Sequence, residues 1–440
     1  MLLIKKFKID KSEKNNKILC EKIVHCIIQT IQDKNIKEKI KIFSKCLNIS
    51  EKIVNQKFKQ LIFKRLNFKE GKFDLSFSYI KVFLSFLALL SALIYFFIAG
   101  RQNVKKKQYD LIIDDIEAKD DIIRFNKIIK SKKKILIIYK NKNLKKILDD
   151  YKCDKIYYNR GLYININNNF LKNNFLNFVK VFTIFFLNSI NDKFDYLYFF
   201  NRIFIKFVRY NNFYSQNISS YTIQDRFYLS CPIKNFLFKN YGGKKSLCTQ
   251  IHLIEACISF FVDLDVLLTI GDEKDSQKKL INLGGRVQNC FPIGSHKMES
   301  MWYRKKRTNR NKNKSIDILM IGLNPSSFYW VTNPSRENFY TYLKWMKNIS
   351  IKNPKLNIIY KHHPNFHQYS SKEEDEILKN SNIKKIISTN NISENSYDFL
   401  FNSKICLSYG STMILEGIGG NQNCYFIDPG EFKSTFLFDL

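Results

Sequence analysis

The first half of the sequence is short of turn-forming residues. Of its 15 glycines, only Gly71, Gly100 and Gly161 precede residue 231, and all 7 prolines lie at or after Pro232. So few chain-reversing residues exclude a run of short strands joined by tight turns and favour long helices. There are 10 cysteines, but none form a C-x-x-C pair. That argues against a zinc site or a disulfide framework and implies reduced cytoplasmic thiols. Acid is scarce as well: 39 Asp+Glu stand against 73 Lys+Arg, a formal charge of +34. Such an excess suits nucleic acid or an anionic membrane surface. Lys, Asn, Ile, Phe and Tyr are all abundant, however, and share A/T-rich codons, so genome composition explains part of the charge. No recognition-helix or zinc-finger pattern is present, and nucleic acid is not an expected partner. The opening residues, Met1 to Lys6, lack the apolar core of a signal peptide.

What is present points to a folded chain of two or three domains. It has 440 residues, and 45% of them are hydrophobic, too many for a disordered protein. Ile18, Ile23, Ile27, Ile28 and Ile31 follow helical spacing, and residues 12–68 read as helices. Val82 to Gly100 runs for 19 residues without a charge, with Ser85 and Ser91 its only polar side chains. About 20 apolar residues cross a bilayer core. Lys69, Lys72 and Lys81 precede it, and Arg101, Lys105, Lys106 and Lys107 follow it. With cations on both sides, the positive-inside rule gives no orientation. Three states stay open: a span, a helix dipping into one leaflet, or a buried core helix. A span would strand residues 1–80 across the membrane from the rest.

From Tyr109 the pattern alternates. Leu111 to Ile113, Lys134 to Tyr139 and Lys155 to Tyr158 read as strands with helices between them. This is the βα periodicity of a parallel sheet. Phe175 to Tyr210 is dense in Phe, Tyr and Ile with interspersed cations; it reads either as buried helices or as a second membrane-facing surface. Arg304 to Lys314 carries seven basic residues, no acid and no apolar side chain, the composition of a solvated linker. A second βα series follows. Its strand ends carry Asn324-Pro325-Ser326-Ser327, Lys361-His362-His363-Pro364 and Ser408-Tyr409-Gly410-Ser411-Thr412. In a doubly wound sheet, ligands bind at the carboxyl ends of the strands.

The last of these stretches is the most informative. Ile405 to Leu407 reads as a buried strand, Gly410 as a turn, and the apolar run carrying Glu416 as a short helix capped by Ser411 or Thr412. A strand turning into a helix start offers free N–H groups and the positive end of a dipole, which suits phosphate. His363 precedes a proline, so its backbone is held extended. For Glu416 the plain alternative is a solvated helix acid.

These residues resemble a known family. Two α/β units with a donor site in the second are similar to the GT-B glycosyltransferases. Lys361-His362-His363-Pro364 resembles the K-x-H-P motif of bacterial sialyltransferases, capsule and lipopolysaccharide sugar transferases such as the Kdo-transferases, and glycerophosphotransferases. Ser408 to Thr412 followed by Glu416 resembles their Ser/Thr phosphate motif. The resemblance implies that Lys361, His363, Gly410, Ser411 and Thr412 bind the donor phosphate and that Glu416 binds the donor ribose. It also implies no cofactor and no metal, with a cytidine-linked donor (CMP or CDP) favoured. Many relatives carry Gln-His-Gly in the first domain. Here Gln250-Ile251-His252-Leu253 keeps Gln and His but spaces them and loses the glycine.

The expected fold is thus α/β, with two Rossmann-like units preceded by a helical region. The expected division is helices over 1–80, an apolar membrane-associated helix with its basic flank over 81–107, a first, acceptor-side unit over 108–303, a linker over 304–314, and a nucleotide-donor unit over 315–440. The catalytic candidates are His363, His252 and Asp114, with Asp115 and Glu255 as further choices of general base. The expected function is sugar transfer from a nucleotide-activated donor to a glycan or lipid-linked acceptor, in capsule or lipopolysaccharide synthesis, on the cytoplasmic side of the inner membrane. The alternatives are an epimerase-like GT-B enzyme acting on a free nucleotide sugar, or a membrane-anchored binding protein without catalysis. If residues 304–314 are an exposed linker, brief trypsin treatment cuts there first and leaves a piece beginning near Ser315. Early cleavage elsewhere, with this run protected, contradicts the boundary.

Overall fold

The structure is a computed structural model. It describes residues 16–65, 67–69, 72–74, 77–99, 106–117, 119–131, 133–158, 169–224, 230–250, 261–295, 314–322, 334–362, 372–386, 396–409 and 411–427. The fold is α/β, with two separate parallel sheets, one in each of two compact units. The unit boundary falls between Ile293 and Gly294, ahead of the expected linker. Residues 304–313 of that linker lie outside the described residues.

The first unit opens with helices α1 (Asn16–Gln32), α2 (Lys34–Leu47) and α3 (Glu51–Arg65), a two-strand ribbon of β1 (Asn67–Lys69) and β2 (Lys72–Asp74), and the long apolar helix α4 (Tyr79–Ala99). The helical reading of residues 12–68 holds for α1 to α3, but Asn67 and Phe68 begin the ribbon instead. In α2 the buried side chains Ile36, Ile40, Phe43 and Leu47 recur at helical spacing. Asp33 caps its start by accepting from the N–H groups of Asn35 and Ile36, and Asn48 closes its end in the left-handed conformation.

The sheet of this unit is built from β3 (Lys107–Ile116), β4 (Ile135–Tyr139), β5 (Asp154–Tyr157), β6 (Asn217–Gln224), β7 (Lys245–Thr249), β8 (Asp263–Thr269) and β9 (Arg286–Pro292). The order is β5-β4-β3-β6-β7-β8-β9, and every neighbouring pair is parallel. The first strand of the sheet is therefore internal, and the winding reverses between β3 and β6. Helices α5 (Lys119–Arg124), α6 (Asn126–Ile129) and α7 (Leu144–Leu148) cover β3 and β4 with Ile122, Phe125, Ile129 and Leu148. Every residue of β4 is buried, as a strand covered on both faces requires.

Helices α8 (Asn169–Asn191), α9 (Tyr196–Gln216), α10 (Pro232–Asn240) and α11 (Glu273–Asn282) complete the unit. Phe43 of α2 and Phe185 of α8 both pack on Phe200 of α9, with ring centroids 4.3 and 4.4 Å apart. Phe58 of α3 lies 4.7 Å from Phe199. The aromatic stretch from Phe175 to Tyr210 is thus largely helix core. The N-terminal helices are not a separate region. The Gln56 amide of α3 donates to the carbonyls of Phe261 and Gly284, and that of Gln60 to those of Ser230 and Phe261. These bonds tie α3 to backbone oxygens around the sheet.

The second unit contains β10 (Ile316–Ile321), α12 (Pro334–Lys352), β11 (Ile358–Lys361), α13 (Lys372–Leu378), β12 (Lys384–Ile386), α14 (Ser396–Phe401), β13 (Ser403–Ser408), α15 (Thr412–Gly419) and β14 (Cys424–Phe426). Its sheet order is β12-β11-β10-β13-β14, again all parallel. The winding reverses between β10 and β13. Leu319, Leu400, Cys406 and Ile414 form the core on one face, and Met320, Phe339, Tyr342 and Tyr360 on the other.

Gly417 lets α15 approach β14. A Cβ there would lie 2.4 Å from Cys424 Sγ and 3.3 Å from Leu400 Cδ1. Alanine gains about 1 kcal/mol of helix propensity over glycine, but overpacking a core costs about 1–3 kcal/mol. Gly417→Ala is expected to lower the urea midpoint. An unchanged or higher midpoint would show that α15 sits more loosely than this.

Candidate functional site

The second unit gathers the motif residues at the carboxyl edge of its sheet. β13 ends at Ser408, whose hydroxyl is fully buried. It donates to the Ile321 carbonyl at the end of β10 (3.1 Å) and accepts from the Ser411 N–H (3.2 Å). One side chain therefore ties the two strands at the switch point to the turn that follows. Ser411 takes the cap position: its backbone is extended, and its hydroxyl accepts from the Met413 N–H at 3.3 Å. Thr412 is the first residue of the helix. Gly410 lies outside the described residues. The strand end and the capped helix start are as expected, and a helix start favours anions.

Lys361 ends β11, on the other side of β10. Its ammonium sits 5.7 Å from the centre of the Phe399 ring, and burial lowers its pKa. His362 is 1% exposed, with Nε2 2.9 Å from Oε2 of Glu374 on α13. Its N–H donates to the Ile386 carbonyl. The first histidine of the pair is thereby fixed inward, and the strand end that leads to His363 is anchored from both its backbone and its side chain. His363 itself lies outside the described residues.

Glu416 is not a solvated helix acid. It is 4% exposed, and both oxygens accept hydrogen bonds, from Ser295 Oγ (3.0 Å) and Tyr397 OH (2.6 Å). A ribose hydroxyl reaching Glu416 would share oxygens already engaged by these two groups. Sequence reasoning missed both partners. Ser295 stood in view at the end of Pro292-Ile293-Gly294-Ser295, but nothing in a linear sequence pairs it with a glutamate so far downstream.

In the first unit, Asp114 and Asp115 do not follow the strand; they lie within β3 near its carboxyl end. Asp115 adopts a positive φ of 74°, at the irregularity that breaks the register with β4, and pairs with Lys140. Asp114 is buried against Lys234 of α10. Burial lowers the Lys234 pKa, but the Asp114 carboxylate and the Tyr214 hydroxyl together outweigh it and hold the ammonium above its usual range. Burial likewise raises the nearby Tyr214 hydroxyl. Asp114 is thus one half of a buried ion pair that ties β3 to α10. His252 and Glu255 lie outside the described residues.

No protein-family model matches the sequence, and neither does any curated protein. Solved structures give distant likenesses. One is the UDP-GlcNAc 2-epimerase from Methanocaldococcus jannaschii, with 11% identity over 72% of this chain and 83% of that chain and a TM-score of 0.41. MurG of Acinetobacter baumannii matches at 8% identity over 74% and 80%, TM-score 0.36. The wall teichoic acid polymerase TagF matches at 7% over 79% and 78%, TM-score 0.38. At these scores the likeness carries no functional weight.

Removing one partner of a buried ion pair costs about 3–5 kcal/mol, because the other charge stays buried. Lys234→Ala is expected to lose stability on that scale in urea unfolding. The double change Asp114→Asn with Lys234→Met should recover most of it. A Lys234→Ala protein as stable as the parent would remove the pair from the account of this core.

Proposed function

We propose that this chain is a metal-independent GT-B-type glycosyltransferase. It moves a sugar from a nucleotide-activated donor to a surface-glycan acceptor, free or lipid-linked, in capsule or lipopolysaccharide synthesis at the cytoplasmic face of the inner membrane. One observation carries the reading. The strand ends bearing Lys361-His362 and Ser408 to Thr412 flank β10 at the carboxyl edge of one parallel sheet, beside its switch point. That is where open α/β sheets bind their ligands.

The chemistry follows from the residues. A departing nucleoside phosphate gains negative charge as the glycosidic bond breaks. The start of α15 offers N–H groups and the positive end of its dipole to that charge. Ser411, whose oxygen already accepts from Met413, keeps its O–H as a donor. Thr412 supplies a second hydroxyl, and His363, the residue after the anchored His362 in the sequence, is the proposed imidazole donor. A well-placed donor to developing charge contributes about 3–4 kcal/mol. Cytidine-linked donors are the favoured class, on the resemblance of the paired motifs.

His363→Ala is expected to lower kcat about a hundredfold or more while weakening donor binding less, because the charge it meets grows during reaction. Thr412→Val should weaken both. His367→Ala, on the same stretch but outside the motif, is the control. Equal losses from His363→Ala and His367→Ala would remove the basis for the site. Thermal stabilisation by cytidine-, uridine- and guanosine-linked sugars gives a separate reading, since a donor at about 100 times its Kd adds about 2.7 kcal/mol. Stabilisation by none of the three would count against a nucleotide-sugar enzyme.

A further inference from the structure

Helix α4 has two unlike faces, and both are apolar. Val82, Leu89, Leu93 and Phe96 are buried. On the opposite side Ile80, Leu84, Leu87, Ser91, Ile94 and Ile98 recur at intervals of four and three residues, and all are exposed, Ile80 by 72% and Ile98 by 60%. This stripe is about 27 Å long at about 1.5 Å per residue. Soluble monomers rarely expose so continuous an apolar surface. A core helix would be mostly buried, yet only 22% of α4's most apolar window is.

One flank of α4 packs on α8. Phe86 meets Phe186 at 4.8 Å, and Phe97, still 40% exposed, meets Phe175 at 5.0 Å, so α8 runs antiparallel beside α4 over most of its length. Phe96 meets Phe204 of α9. A span by α4 would drag α8 through the hydrocarbon. α8 carries exposed Lys180 at its middle, where a lysine costs about 2.5–3.5 kcal/mol even on the gentlest scale. The exposed face of α8 is mostly polar, with Asn173, Asn177, Lys180 and Thr183 beside Leu176 and Leu187. No Asp or Glu occurs in α4 or α8, whereas Lys81 and Lys180 do, and both are exposed. An exposed apolar stripe on a helix pair that carries exposed lysines and no acid matches the boundary between acyl chains and anionic headgroups.

We propose that α4 lies flat in one leaflet of an anionic membrane, its Ile80–Ile98 stripe among the acyl chains. This does not depend on the catalytic reading, and its test reads no donor or turnover.

The full chain is floated with vesicles of phosphatidylcholine plus phosphatidylglycerol, and with phosphatidylcholine alone. Binding to the mixed vesicles is expected, weaker on the neutral ones. Leu84→Glu with Leu87→Glu should lower vesicle affinity at least about tenfold without changing circular dichroism. Ile281→Glu, at an exposed isoleucine on α11 of the same unit, should leave it unchanged. Tryptophan at Leu84, Ser91 or Ile98 in turn, quenched by lipids brominated at set depths, should report one shallow depth at all three. A steady change of depth from Leu84 to Ile98 would mean a span and overturn the proposal. So would absence of vesicle binding, or a stripe that the same double substitution shows, by light scattering, to join two copies of the chain.

Discussion

Both sheets obey one constraint: a parallel strand cannot be reached by a tight turn. Each connection must cross over the sheet, so every strand delivers its carboxyl end to the same edge. The first strand of each sheet, β3 or β10, has neighbours on both sides, so the winding must reverse beside it. Those two facts put polar loops together at one place in each unit without any requirement on the loops themselves. In the second unit the Ser408 hydroxyl locks that place by bonding the end of β10 to the turn after β13.

Much of this was legible in the sequence because apolar runs ending in glycine, proline or polar clusters mark buried parallel strands. β4, β8, β10 and β13 are of this kind. β6 was missed. Its residues, Asn-Ile-Ser-Ser-Tyr-Thr-Ile-Gln, hide a central strand behind small polar side chains. The strand reading for Leu111 to Ile113 also stopped early, since Asp114 and Asp115 look like a strand's end and lie inside it, each held by a lysine supplied from elsewhere. Sequence spacing carries no sign of such partners. The same holds at the candidate site. The capped helix start could be read from Gly-Ser-Thr, but not that His362 would turn inward to Glu374, or that Tyr397 and Ser295 would close around Glu416.

The ionisable side chains of the interior follow a common rule. Asp114, Asp115, His362 and Glu416 each lie within reach of a polar or oppositely charged group on another element. Desolvating a charge is costly, and a partner makes it tolerable. Where such groups sit at carboxyl strand ends, they also fix the loops that follow.

The amides of Gln56 and Gln60 bear on how this protein can be handled. They tie α3 to carbonyls beside the first sheet, and α4 follows α3 in the same unit. The apolar helix is therefore no detachable tether. Trimming the N-terminus to make the chain soluble would strip acceptors of their donors and open the phenylalanine core. A soluble form is better sought by recolouring the outer stripe of α4 with polar residues, leaving every helix where it is.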